Sequence, residues 1–186
     1  MKKNGRRVHR EGRIPEAVSI DKRPKIVAKR KRVGDWESDN LIGMITDKTA
    51  LSVTVERKLR LTLLAKVLKT ADGKTKGLFT KLSVLPDDLL KTLTEDNGKE
   101  NTDHKQITNS LGMDVFFCHA YASWEKGTNE NTNGRIRRFI PKRVSIDCLD
   151  EKTIQEIEWI LNNTPRKCLG FRTPYEKLQE YLTKHV

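Results

Sequence analysis

Hydrophobic and polar positions alternate with two distinct periods along this chain, and the switches between them predict its elements. From Trp36 to Ile45 the pattern reads as a strand, closed by a turn at Asp47-Lys48. Ala50 to Glu56 sets Leu51, Val53 and Val55 against polar partners at every second position, the period of a half-buried strand. A turn at Lys58-Leu59 and an apolar run from Leu61 to Leu68 complete a three-stranded meander. Gly73 to Leu85 then predicts a helix carrying Leu78, Phe79 and Leu82, with Pro86 as its stop. Leu89 to Thr94 predicts a fourth strand running into Asp96, and Asn101 to Leu111 a helix with Gly112 as its C-cap. Asp114 to Cys118 is a short buried strand, and His119 to Gly127 a loop. A polar helix follows from Thr128 to Ile140, stopped by Pro141. Apolar residues at 154, 157, 160 and 161 place another helix over Leu149 to Asn162, and Tyr175 to Leu182 is the last. No internal repeat interrupts this order. A meander followed by alternating helix and strand implies an α/β fold, a mixed five-stranded sheet with helices on its faces.

Charge adds to this picture because it is unevenly placed. The 186 residues carry a net charge of +12, yet residues 1–33 hold thirteen Lys/Arg against Glu11, Glu16 and Asp21, a local excess of +10 that leaves +2 for everything else. Pro15 and Pro24 discourage a long helix there, so the segment reads as an extended basic arm, 1–33, ahead of a core domain at 34–186. An arm of this kind is the footprint of phosphate-backbone binding. It lacks the apolar face of an interfacial helix, and a solubilising tail is the bland alternative. Cys118, Cys148 and Cys168 are odd in number and widely spaced, which fits reduced thiols in a cytosol better than a disulfide framework or a zinc site. No run reaches the length of a membrane span and no signal peptide opens the chain. The expectation is a soluble cytoplasmic protein that binds no membrane and no small organic cofactor.

Three separated carboxylates carry the candidate chemistry. Asp39 lies in GDWESDNLIG, Asp96 in TEDNGKE and Glu130 in WEKGTNENTNG, each on a different predicted element. Acids gathered in so basic a chain point to a divalent metal held against a polyanion, because Mg²⁺ takes hard oxygen ligands and shares its shell with substrate phosphates. Two such ions clamp the attacking and leaving oxygens of an in-line phosphoryl displacement. Taken one at a time, each acid has an ordinary reading: a strand-end charge for Asp39, turn chemistry for Asp96-Asn97-Gly98, a helix-surface charge for Glu130. Glu37 is the strongest rival, since it shares a strand face with Asp39 and could be a structural acid behind it. Glu95 points away from Asp96.

The blocks VGDWESDNLIG, TEDNGKE, WEKGTNENTNGRIRRFIPK and LNNTPRKCLGFRTPYEKL resemble the catalytic domain of bacterial insertion-sequence transposases of the IS30 family, over about Arg13 to Leu182. That family belongs with DDE transposases and retroviral integrases, so the resemblance implies a ribonuclease-H-like fold. It also implies that Asp39, Asp96 and Glu130 form a metal-binding catalytic triad for Mg²⁺ or Mn²⁺, with two ions. The activity implied is hydrolysis and strand transfer at transposon ends, with DNA as partner and a homo-oligomer as the working form. Three departures stand out. Asn40 follows the first Asp where the family tends to a small or β-branched residue, and Asn101 follows Lys99-Glu100 where its pattern calls for an aromatic one. Only the basic arm stands where helix-turn-helix segments usually read the element's terminal repeats. Two other readings compete: a truncated DNA-binding regulator of transposition, and a ribonuclease-H-type nuclease.

The polar helix has a reading of its own. Asn133, Gly134 and Arg137 follow Glu130 on one face, where Asn donates to phosphate or base edges and Arg grips phosphate through two bonds. Lys126, Arg135 and Arg138 widen the basic rim. Lys142 and Arg143, with Asn162, Asn163, Arg166 and Lys167, read equally well as phosphate contacts or as solvated loop residues, and the resemblance tips them toward DNA. Trp124 stacks on a base or anchors its loop. His119 and His104 have no required role where metal lowers the pKa of water, and the thiols lack a base partner.

Overall fold

A computed structural model describes residues 14–185. Five strands, β1 (Asp35–Leu41), β2 (Thr49–Glu56), β3 (Thr62–Leu68), β4 (Thr92–Glu95) and β5 (Asp114–Phe117), form one sheet in the order β3-β2-β1-β4-β5. The β1–β2 and β2–β3 pairs are antiparallel, as a meander requires, whereas β1–β4 and β4–β5 are parallel. The helices are α1 (Lys25–Ala28), α2 (Ala71–Leu82), α3 (His104–Leu111), α4 (Gly127–Ile136), α5 (Glu151–Asn163) and α6 (Pro174–His185). The mixed five-stranded α/β architecture read from the periodicity is therefore the observed one.

Alternation along the strands splits the core in two. One face buries Trp36, Leu61, Leu93, Val115 and Phe117 against Leu78 and Leu82 of α2 and Ile107 of α3, with Leu178 and Tyr181 of α6 packed alongside. The other buries Leu41, Leu51, Val53, Val55 and Leu64 against Ile136 of α4 and Ile154, Ile157 and Leu161 of α5. Trp36 is fully buried and donates its indole N–H to the Leu89 carbonyl at 2.7 Å, so a large apolar ring enters the core without an orphaned donor.

Several boundaries move, each for a local reason. β1 stops at Leu41 rather than Ile45, because the chain turns where the Asp47 carboxylate accepts from the Met44 and Ile146 amides. At Gly43 a Cβ would stand 2.3 Å from the Val144 carbonyl, a close approach only glycine permits. α2 begins earlier, at Ala71, where the Thr70 side chain accepts from the Gly73 amide as an N-cap. Leu78 and Leu82 of α2 are buried, whereas Phe79 is 45% exposed. The Asn101 region is a tight 3-10 turn, so α3 starts only at His104, and Gly112 takes the left-handed conformation (φ 66°) expected of its C-cap. α4 ends at Ile136, four residues before its expected limit.

The part of the basic arm within the described residues packs on the core. Ile14 and Val33 belong to the first apolar cluster, and Val27 in α1 is fully buried. Ser19 bridges to Phe117 in parallel beside β5, and the Arg23 guanidinium donates to Thr94 at 2.8 Å. The few apolar residues that do this packing are scattered through a charge-dominated stretch, which is why the sequence reads there as an extended leader. Residues 1–13 lie outside the described range.

Candidate active site

Parallel pairing of β1 with β4 builds the site. The register sets Glu37 opposite Thr94, and continuing it by two residues brings Asp39 beside Asp96, at the carboxyl ends of neighbouring strands. Sites form at such ends in open α/β sheets. Between the two acids stands the Lys126 ammonium, 3.1 Å from Asp39 Oδ1 and 3.0 Å from Asp96 Oδ2, which also donates to the Ser38 carbonyl at 3.1 Å. Lys126 itself is only 6% exposed. Hard oxygen donors from two strands thus converge on one cation, the chemistry a Mg²⁺ or Mn²⁺ site requires.

Each carboxylate is held from behind. Asn133 of α4 donates to Asp39 Oδ2 at 2.9 Å. Asp96 Oδ1 accepts from the Gly98 amide at 3.1 Å and from the Asn101 side chain at 2.8 Å. Asn101 is anchored in turn by the buried Lys74 ammonium of α2, which pairs with Glu95 at 3.0 Å. Burial would raise the Asp96 carboxyl, but the charges of Lys126 and Lys74 and the Gly98 amide outweigh it and hold it below the usual aspartate value. Burial likewise opposes charge on Lys126, and Asp39 and Asp96 overcome it, raising its pKa.

Glu37 is fully buried and structural. Its carboxylate accepts from the Arg57 guanidinium and from the Asn129 amide, each at 2.8 Å, while the Asn129 side chain donates to the carbonyls of Glu37 and Val53. α4 is thereby pinned across β1 and β2. Glu130 stands exposed on α4, four residues after Lys126 and three before Asn133, so all three share one helical face. Among the described residues, no three acids, histidines or cysteines stand close enough together to hold a metal as placed. Asp39 and Asp96 are brought together; Glu130 does not join them as placed.

The chain is 37% identical over 196 aligned positions to the transposase for insertion sequence element IS4351 of Bacteroides fragilis, covering 100% of this chain and 59% of that protein. It is 36% identical to the transposase InsI for IS30A of Escherichia coli, covering 95% and 47%. It belongs to the IS30 family of insertion-sequence transposases. The chain spans about half the length of these curated relatives. No family model matches it. Among solved structures, the catalytic core domain of BIV integrase superposes with a TM-score of 0.59 at 22% identity, covering 82% of this chain and 99% of that one. The catalytic core domain of HTLV-2 integrase in complex with magnesium gives 0.58 at 19%, covering 77% and 94%. The fold of this IS30-family chain is ribonuclease-H-like.

The residues expected to meet DNA fall into distinct settings. Lys126 lies inside the site, and Asn133 faces Asp39. Arg137 turns its guanidinium to the Ile42 carbonyl at 2.7 Å, and Arg135 donates to Asn131 at 3.2 Å. Arg138, Lys142 and Arg143 are exposed. Asn162 is fully buried and bridges the amide and carbonyl of Thr62, which removes it from any solvated loop. Trp124 is 74% exposed. His119 pairs with Asp21 and Glu125, and His104 is buried edge-on against Phe117. Burial pushes the Cys118 thiol up to about 12, away from nucleophilic use. Sequence reasoning misses Arg57, Lys74 and Asn129 as supports. Asn129 sits three residues after Lys126 and four before Asn133, a spacing that marks one helical face and is the available signal.

Proposed function

We propose that this chain is the catalytic core of a DDE-type DNA transposase, a polynucleotidyl transferase that hydrolyses phosphodiesters at transposon ends and joins the freed 3′-hydroxyl to target DNA. The observation that carries the reading is the pairing of Asp39 with Asp96 around a single cation, beside the α4 face that bears Glu130. Family membership gives that pair its context. In this reading Asp39, Asp96 and Glu130 hold two Mg²⁺ or Mn²⁺ ions, in keeping with the magnesium named for the HTLV-2 integrase core. Bound metal would activate the nucleophile and stabilise the charge of the leaving oxygen.

The chain's own residues do the rest. Asn133 and Asn101 fix the rotamers of Asp39 and Asp96, so the donor oxygens face inward before substrate arrives. Lys126 keeps the two acids from repelling one another. Arg135, Arg137, Arg138, Lys142 and Arg143 offer phosphate donors around the site, with Lys126 and Asn133 nearest the scissile bond. Residues 34–186 act as the catalytic core and the basic segment 1–33 supplies backbone affinity. Water is the nucleophile in hydrolysis and the 3′-hydroxyl in strand transfer. In both, the new phosphorus–oxygen bond forms opposite the one that breaks, with no covalent enzyme intermediate. The working form is a homo-oligomer, which brings two transposon ends together in the bacterial cytoplasm.

Strand transfer of a pre-cleaved DNA end with Mg²⁺ or Mn²⁺ tests this, comparing wild type with Glu130→Gln and Asp96→Asn. The expected result is product from wild type and a loss of at least a hundredfold in each variant, with DNA binding retained. Cleavage of an RNA–DNA hybrid in place of strand transfer would instead assign a ribonuclease-H-type nuclease, and tight DNA binding with no metal-dependent turnover a regulator.

A further inference from the structure

A second basic concavity lies around α4 from the carboxylates. Arg30, Arg60, Arg135, Arg166 and Lys167 line a cleft of about 360 Å³ together with Asn131, and no carboxylate lines it. It continues past Arg30 and Arg60 into a neighbouring hollow of about 430 Å³ bordered by Lys58 and Lys177. The five basic residues come from four separate places: the end of α1, the β2–β3 turn, α4, and the segment after α5.

Three observations show that the cleft is not simply a solvated surface. Among the described residues, none of these five side chains forms an ion pair. Arg135 donates to Asn131, and Arg166 donates to the Leu161 carbonyl. The arginines also crowd one another. Burial first, then the charges of Arg60 and Arg57, depress Arg30; burial first, then Arg135, depress Arg166. Finally, Arg30 (φ 51°) and Arg60 (φ 62°) both adopt the left-handed backbone, which crowds the Cβ of any residue but glycine. Stability alone would favour glycine or asparagine at both positions. Strained backbone of this kind clusters at ligand clamps, where the surroundings hold it. Like charges gathered in one concavity with no acid among them are offset by a ligand that brings several negative charges at once.

We propose that this cleft is a clamp for the phosphate backbone of duplex DNA, gripping a stretch displaced around α4 from the scissile phosphate. The proposal rests on the reading of the chain as acting on DNA. Glu130 and Asn133 face the carboxylate side of α4, and Asn131 and Arg135 the clamp side. A duplex lying across α4 would touch both. Contacts here are to phosphate, so they add affinity and register without reading sequence.

The test is duplex binding by the full chain in EDTA, which suspends turnover, measured across a salt series. Arg30→Gly and Arg60→Gly together remove two donors and relieve both left-handed residues. The double variant is expected to unfold at the same temperature as wild type or higher, to bind DNA at least tenfold more weakly, and to lose about 2 from the slope of log K against log salt. Lys167→Gln, exposed at the cleft, guards against misfolding of the double variant and should lose about 1. Cys168, exposed at the cleft, provides a separate readout: bound duplex should slow its alkylation. Wild-type affinity and slope in both sets of variants, or Cys168 alkylation unchanged by bound DNA, overturns the clamp and leaves the catalytic reading intact. A wild-type chain that binds no duplex overturns both. Silent strand transfer with normal, clamp-dependent binding overturns the catalytic reading alone.

Discussion

Lys126 brings a positive charge to the point where two carboxylates converge, so in the proposed site it and a divalent ion compete for the same oxygens. Lys126→Met keeps the length of the buried stem and removes the charge. Its expected effect is Mn²⁺ binding at least tenfold tighter, about 1.4 kcal/mol, read by electron paramagnetic resonance, with lower thermal stability in chelator because the two acids then face each other unpaired. Unchanged or weaker Mn²⁺ binding would show that the ammonium does not stand in the metal's place. A second buried charge governs pH dependence. Burial raises the Glu56 carboxyl to about 7, although it accepts from the Gly34, Lys58 and Leu59 amides. A carboxyl raised on folding stabilises the protein most below its unfolded value near 4.5, and that stability is lost as pH rises through 7. Urea unfolding of wild type should show stability falling over that window, and Glu56→Gln should flatten the slope. Both residues illustrate a limit of reading sequence. In the sequence Lys126 is one more cation on a basic rim and Glu56 a strand-end acid, because burial is set by what packs over a side chain rather than by its neighbours along the chain.

The elements themselves are legible where one period dominates. β2 and β3 begin within one residue of expectation, since Val53 and Val55 alternate cleanly and the turn at Lys58-Leu59 is sharp. Helix ends are harder, because caps depend on single side chains such as Thr70 and Asp150. Asn162 shows what periodicity cannot reveal. β3 is an edge strand with free backbone groups, a standing invitation to pair with another chain. Asn162 and Glu158 of α5 close that edge by engaging the Thr62 amide and carbonyl and the Leu64 amide. In the sequence, Asn162 is one polar residue in a loop-like run. Asn162→Ala should destabilise by about 1–3 kcal/mol, because two buried backbone groups lose their partner. Denaturant melts measure that loss, and a cost near zero would mean that water replaces the side chain at the edge. α4 differs from the other helices in being fixed by Asn129 and Asn133 more than by apolar contact, so its polar composition marks the site while concealing how the helix is held.

At the scale of the whole molecule, residues 14–33 combine high charge with a structural role. Viewed as composition, the segment up to Val33 is a basic arm; viewed in the fold, Val27 is fully buried and its carbonyl accepts from Arg57, the partner of Glu37. The same stretch therefore ties the first strand, the α4 anchor and the rim of the cleft together, which charge counting alone sets apart. The two parts of the arm separate experimentally. Removing residues 1–13 deletes Lys2, Lys3, Arg6, Arg7, Arg10 and Arg13 against Glu11. DNA affinity and the salt slope should fall, the slope by up to about 0.9 for each phosphate no longer neutralised. Removing residues 1–33 also takes Ile14, Val27 and Val33 out of the core and leaves the Arg57–Glu37 pair without its carbonyl partner. Stripping three apolar side chains from the core, at roughly 1.5–3 kcal/mol each, is comparable with the whole stability of a marginal domain, and the lost Arg57 contact adds to it. The shorter chain should fail to give a cooperative transition by circular dichroism. If it melts as wild type does, residues 14–33 contribute charge alone, and the division of the chain at Val33 is structural as well as functional.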